Sequence, residues 1–149
     1  MNRKQPARRG ATVLEMSIIL SMLLMLTMGI LDLGVGVFRY HILSQSARTA
    51  ARRAIVHGSQ ANVLGIWGPT AINSAANASG IPVIDAISPQ LVGCDLSSTN
   101  VTVEWPDGDN KVGRRVKVTI TSPYQPTLAF ILPGGQITLT ARTCMLIAH

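Results

Sequence analysis

The chain has 149 residues, 47% hydrophobic and 13% charged, which suits one small domain plus one extended element rather than several domains. Its 13 Lys and Arg against 7 Asp and Glu give +6, but Arg3, Lys4, Arg8 and Arg9 all precede residue 11, so the remainder carries nine basic against seven acidic residues, net +2. The high charge therefore belongs to the N-terminal tip, and with no aromatic-interleaved basic patch and no zinc-finger spacing the chain excludes a nucleic-acid partner.

Behind the basic tip, residues 16–31 carry no charge, and Ser17, Ser21 and Thr27 are the only hydroxyls among Ile, Leu, Met and one Gly. A bilayer core takes about 20 helical residues, so residues 11–31 are long enough to span it, and the apolar character runs on to residue 38 with Asp32 as its one charge. Basic residues cluster before the span and only Arg39 follows closely, which places the N-terminus in the cytoplasm and the rest of the chain outside, as a single-pass protein of the cytoplasmic membrane. Glu15 stands at the entrance of the span, where an ionised carboxylate costs about 2.5 kcal/mol or more even on lenient scales, and such a residue is rarely present for anchoring. Three readings compete. A removable secretory signal has the basic start but a shorter apolar region, and Gly34-Val35-Gly36 imitates its small-residue site weakly. A plain signal anchor accounts for length and orientation but not for Glu15 or Asp32. Cleavage after Gly10, before the apolar run, keeps the helix and gives Glu15 a use.

The pattern Arg9-Gly10, with Glu15 as the fifth residue after the glycine, resembles the prepilin peptidase site of type IV pilins and pseudopilins. The run from Leu14-Glu15 through Gly29, Asp32 and Gly34 to the Ala- and Arg-rich residues 47–52 resembles the TadE-like family of tight-adherence pilus proteins, in which a glycine and aspartate signature closes the apolar helix. The fit of Gly29, Asp32 and Gly34 to that signature is loose in its spacing. Ser21 stands where members often carry proline, and Met16 stands where the major pilins of these systems usually have Tyr, which points to a minor pilin or pseudopilin. The resemblance implies a leader at 1–10, processing between Gly10 and Ala11, and assembly through Glu15. It also implies four kinds of partner: a prepilin peptidase, a membrane assembly platform with its ATPase, other pilins, and membrane lipid. The chemistry is arguable without the family. A glycine before the scissile bond admits close approach to the backbone. Cutting there creates an amine at Ala11, with a reference pKa near 8, one helical turn from Glu15. Pairing of that amine with Glu15, in the same or an adjacent subunit, offsets much of the burial cost. The competing reading is a signal-anchored envelope domain that binds a ligand and never polymerises.

Residues 39–58 contain no Gly or Pro before Gly58 and repeat small or apolar side chains at Ile42, Ala47, Ala50, Ala51, Ala54 and Ile55, with Arg48, Arg52 and Arg53 opposite. This predicts an extracytoplasmic extension of the helix that stops at Gly58, a rod of about 70 Å from residue 11 to residue 57. Its Ala stripe predicts packing on the chain's own domain, with contact to neighbouring subunits as the second option.

Residues 59–149 read as a small α+β domain. Residues 70–80 suit a short second helix ended by Gly80. Alternation at Val101, Val103 and Trp105, then at Val116, Val118 and Ile120, on either side of the turn residues 106–110, predicts a hairpin. A third strand carries Ile137, Leu139 and Ala141 on one face, and the long helix must cover the resulting three-stranded antiparallel sheet. The apolar residues 128–132 predict a buried loop anchor, or else a partner contact. Lys111, Arg114, Arg115 and Lys117 predict a solvated strand face. Cys94 and Cys144 leave two readings open. One is a disulfide across the outer face or edge of the sheet, closing a loop of about 50 residues at about 4 kcal/mol; the other is a pair of structural thiols. Strand parity turns Cys144 away from the covered face. No catalytic constellation, cofactor motif or metal set is present. His41 and His57 are far apart on a rod, and Asp107 with Asp109 lacks the later Glu of a calcium loop.

Overall fold

The computed structural model describes residues 9–61, 65–127 and 135–148. The basic residues Arg3, Lys4 and Arg8 of the leader and the apolar loop at 128–132 lie outside them. One helix, α1 (Arg9–Ala54), runs unbroken for 46 residues, about 69 Å at 1.5 Å per residue. Its end tapers through three further turn bonds, from the amides of Ile55, Val56 and His57 to the carbonyls of Ala51, Arg53 and Ala54, and Arg52 and Arg53 in its last turn complement the negative end of the helix dipole.

Four antiparallel strands follow in the spatial order of the chain: β1 (Ile72–Ala75), β2 (Asn100–Glu104), β3 (Arg115–Tyr124) and β4 (Ile137–Leu146). The β2–β3 register pairs Val101 with Ile120 and Val103 with Val118, and β3–β4 runs from Arg115 opposite Leu146 to Tyr124 opposite Ile137. Pro123 is tolerated near the end of β3 because β2 stops opposite Thr121, so no strand on that side needs its missing N–H.

The expected three strands are four, and the second helix is displaced. Residues 70–80 hold β1 rather than a helix. Pairing of Ile72 with Val103 and Ala75 with Asn100 satisfies the backbone, and Ile72 gains packing against the core, which together outweigh an alanine helix preference of under about 1 kcal/mol per residue. The short helix, α2 (Pro82–Ile87), begins at a proline in the first turn, where a missing N–H costs nothing, and buries Val83, Ile84 and Ile87.

The core lies between one face of the sheet and the outer half of α1, with α2 beside it. Leu43, Ala47, Ala50 and Ala51 are completely buried against Val101, Val103, Val116, Val118 and Ile120. The Ala stripe thus packs on the chain's own domain: without side chains beyond Cβ the helix lies close on the sheet along its whole outer half. The amide of Ala148 donates to the carbonyl of Ile55 at 3.0 Å, which ties the end of the chain to the top of the helix.

Candidate membrane and assembly site

The two halves of α1 have opposite environments. From Gly10 to Met28 every residue is exposed, with Val13, Leu14 and Met16 at 63–65% and Met22 at 75% of their free surface. From Leu43 onward the inward side is buried. Among the described residues this is one helix long and apolar enough to cross a membrane, by length and composition. The bare stretch, residues 10–31, covers about 33 Å, close to the roughly 30 Å of a hydrocarbon core. Its hydroxyls are already satisfied, as that solvent would require. Ser17 donates to the carbonyl of Val13 at 2.8 Å, Ser21 to Ile18 at 2.8 Å, and Thr27 to Leu24 at 2.9 Å.

Glu15 is exposed in the second turn of this bare half, and its side chain makes no hydrogen bond or ion pair to another described residue. The helix already includes Gly10 and Ala11, so the bond between them lies in its first turn, and open space surrounds the position of a Cβ on Gly10. Ala11 and Glu15 stand four residues apart, on one side of the helix.

Asp32 marks the boundary between the halves. Its Oδ1 accepts the amide N–H of Thr127 at 3.1 Å, and its backbone carbonyl accepts the Tyr124 hydroxyl at 2.9 Å. Tyr124 lies against Gly36, where a Cβ would meet ring carbon Cε1 at 3.4 Å, and the Arg39 guanidinium sits over the same ring at 5.0 Å from its centroid. Burial pushes the Tyr124 phenol above its usual range and the Asp32 charge adds to this, while Arg39 opposes it, so the hydroxyl remains a donor. Gly29, Asp32, Gly36 and Arg39 are the half-buried positions on this stretch, a stripe at helical spacing that continues into Leu43 and Ala47. Two of the three signature positions therefore face the domain. Gly34 does not, and a Cβ there would meet nothing within 4 Å. Gly36, Arg39 and Tyr124 were not legible as site residues in the sequence; the small side chain four residues after Asp32 was the one available signal.

Beside this clasp an apolar groove of about 860 Å³ opens between α1 and the ends of β3 and β4. Met22, Leu26, Gly29 and Val37 form its helix side, and Tyr124, Pro126, Ile137 and Leu139 form its domain side.

The remaining candidates are structural. Asp107 is bound by Arg115 through Nη2 at 2.6 Å and through the backbone amide at 2.9 Å; these bonds hold its carboxyl at about 2, and they close the β2–β3 turn. Lys111 pairs with Asp109 at 3.0 Å and Lys117 with Glu104 at 2.9 Å, so three of the four cations on this face have anionic partners. No cluster of metal-ligating side chains occurs among the described residues. His57 stacks on Trp67 with centroids 3.8 Å apart, and its Nδ1 meets the Gly65 carbonyl at 2.8 Å, a brace at the top of the helix and far from His41. Cys94 and Cys144 are both free thiols. Cys94 packs on the core, whereas Cys144 is exposed and pairs in register with Lys117 on the opposite face of the sheet.

No curated protein and no solved structure matches the chain. Residues 10–52, which comprise Glu15, the bare span, the helix side of the Asp32 clasp and most of the Ala stripe but none of the sheet, match the family model described as TadE-like protein.

Proposed function

We propose that the chain is a minor pilin or pseudopilin-like membrane protein that takes part in assembly of a tight-adherence type IV pilus, for adhesion and surface attachment. In this reading it is cut after Gly10 by a prepilin peptidase and held by a helix whose N-terminus faces the cytoplasm. The observation that carries the reading is the bare helical half: a span-length apolar cylinder that matches a TadE-like model and holds Glu15 as its one charge between residues 10 and 31. At the centre of a hydrocarbon core a carboxylate costs about 2.5–3.5 kcal/mol, and Glu15, about 6 Å inside the start of the span, bears part of that cost. The Ala11 amine released by cleavage, in the same or a neighbouring subunit, is the partner that offsets the cost. Assembly then draws its energy from a separate ATPase at the membrane platform, and Glu15 registers one helix against the next.

Sequencing the N-terminus of the membrane-bound protein tests the processing step. A chain that starts at Ala11 is expected, and an intact Met1 overturns it. Glu15→Val should still be cleaved yet fail to enter the assembly; efficient incorporation of that variant would sink the registering role. The alternative, a non-polymerising anchored envelope domain, draws support from the Ala stripe, which is consumed by the chain's own sheet and leaves little of the outer helix for neighbours. It requires an uncut N-terminus.

A further inference from the structure

We propose that the groove between α1 and the ends of β3 and β4 is a binding site for one phospholipid of the outer leaflet, with an acyl chain against Met22, Leu26, Ile137 and Leu139 and the phosphate at Arg39. The inference rests on the membrane-span reading and extends it from the helix to the domain.

The vertical fit follows from the helix rise. Counting from Ala11 at the inner hydrocarbon boundary, Asp32 lies about 32 Å along the axis, at the outer boundary of a core of roughly 30 Å. The Arg39 backbone lies about 42 Å along, above the outer headgroup layer, which ends roughly 35–38 Å from the inner hydrocarbon boundary. Its guanidinium is drawn down over the Tyr124 ring beside Gly36, about 38 Å along and at the top of that layer. Asp32 is clasped by Thr127 and Tyr124, so the base of the domain is held at that boundary and cannot ride above it. The groove extends from Met22 to Tyr40, about 27 Å along the helix, and is lined almost wholly by apolar side chains. Its lower wall is the bare surface of the span itself, so it is continuous with the hydrocarbon. On its domain side, Ile137 at 45% exposure and Leu139 present apolar surface that water would otherwise meet.

The upper end supplies the complementary charge. Arg39 stacks on Tyr124, a groove-lining ring, and has no ion pair among the described residues. A stacked guanidinium keeps its edge N–H groups for an anion, and a phosphate takes them as a fork. The groove's carboxylate, Asp32, is engaged by the Thr127 amide roughly 10 Å lower. The site thus orders its chemistry as a phospholipid does, with a charged acceptor above and a chain below.

The test uses the full chain in vesicles of phosphatidylethanolamine and phosphatidylglycerol containing a phospholipid with a photoactivatable diazirine on its acyl chain, followed by peptide mapping. Label is expected on residues 137–139 and on Tyr124 or Pro126 as well as on residues 13–28. Arg39→Glu should lower the label on 137–139 by roughly fivefold or more, the equivalent of the ~1 kcal/mol that one basic residue supplies at an anionic surface, while leaving the helix label unchanged. Arg39→Lys should retain most of it. Label confined to the helix overturns the proposal, as does β4 label indifferent to Arg39→Glu. A cross-link from β4 to a second copy, or to the chain's own residues 128–134, also overturns it by naming a different occupant. An unlabelled helix removes the membrane-span reading itself.

Discussion

Replacing Tyr124 separates two contributions to the joint between the apolar helix and the domain. Its ring is 6% exposed and packs on Gly36 under Arg39, and its hydroxyl donates to the Asp32 carbonyl at 2.9 Å. Tyr124→Phe keeps the ring and loses one hydrogen bond, a cost of about 1 kcal/mol. The figure belongs at the low end, because a helical carbonyl at that position still accepts the bond from the amide four residues on. Tyr124→Ala removes the ring as well. A buried aromatic truncated to alanine costs about 3–5 kcal/mol, and the cation–π contact with Arg39 accounts for about 0.5–1 kcal/mol of comparable origin. The assay is urea unfolding of the domain in detergent micelles, with amide exchange at Thr127, whose N–H is held by Asp32 and so should exchange faster in Tyr124→Ala than in Tyr124→Phe. The phenol adds a pH signature. A folded-state pKa above the usual 10.0 means that the hydroxyl's contribution is complete below pH 10 and is lost as pH rises through the folded value, a loss that Tyr124→Phe should not show. Equal destabilisation by Phe and Ala, or a Tyr124→Ala protein within about 1 kcal/mol of the parent, would refute the clasp.

Three further outcomes are expected. Ala50→Leu forces a branched side chain into the completely buried seam between α1 and the sheet and should destabilise the domain by about 1–3 kcal/mol, whereas Arg48→Leu on the exposed side should change stability by less than about 0.5 kcal/mol; unfolding midpoints of the pair decide it. Asp107 titrates at about 2 because Arg115 binds its charged form, so its contribution is complete above pH 3.8 and fades as pH falls from there towards 2; Asp107→Asn should flatten that acid limb, and an unchanged limb counts against the turn-closing role. Alkylation without reductant should add two labels per chain, Cys144 ahead of the half-buried Cys94, and a mass showing no free thiol would contradict the packing of the two on opposite sides of the sheet.

Periodicity along one chain was enough to determine the long apolar helix, its extension with one dry face and its end near Gly58. A helix is a local structure whose solvent can be read from the residues themselves: an all-round apolar run means lipid, and a stripe of Ala opposite Arg means one dry face. The same local signal, period two, located the cores of β2, β3 and β4 and turned Cys144 outward. What it could not supply was anything set by partners distant in the chain. Residues 72–75 became a strand because β2 offered a free edge, an energy absent from any reading of Ala and Ser propensities. Asp32 was an unexplained charge until the fold brought Thr127 and Tyr124 to it across more than ninety residues. Glu15 remains where local reading left it, on a bare helix among apolar neighbours, because no described part of the chain's own fold packs on that stretch. Composition and spacing determine which surface a segment prefers. The tertiary structure decided which backbone group answers each polar atom, because those pairings depend on how the chain closes on itself.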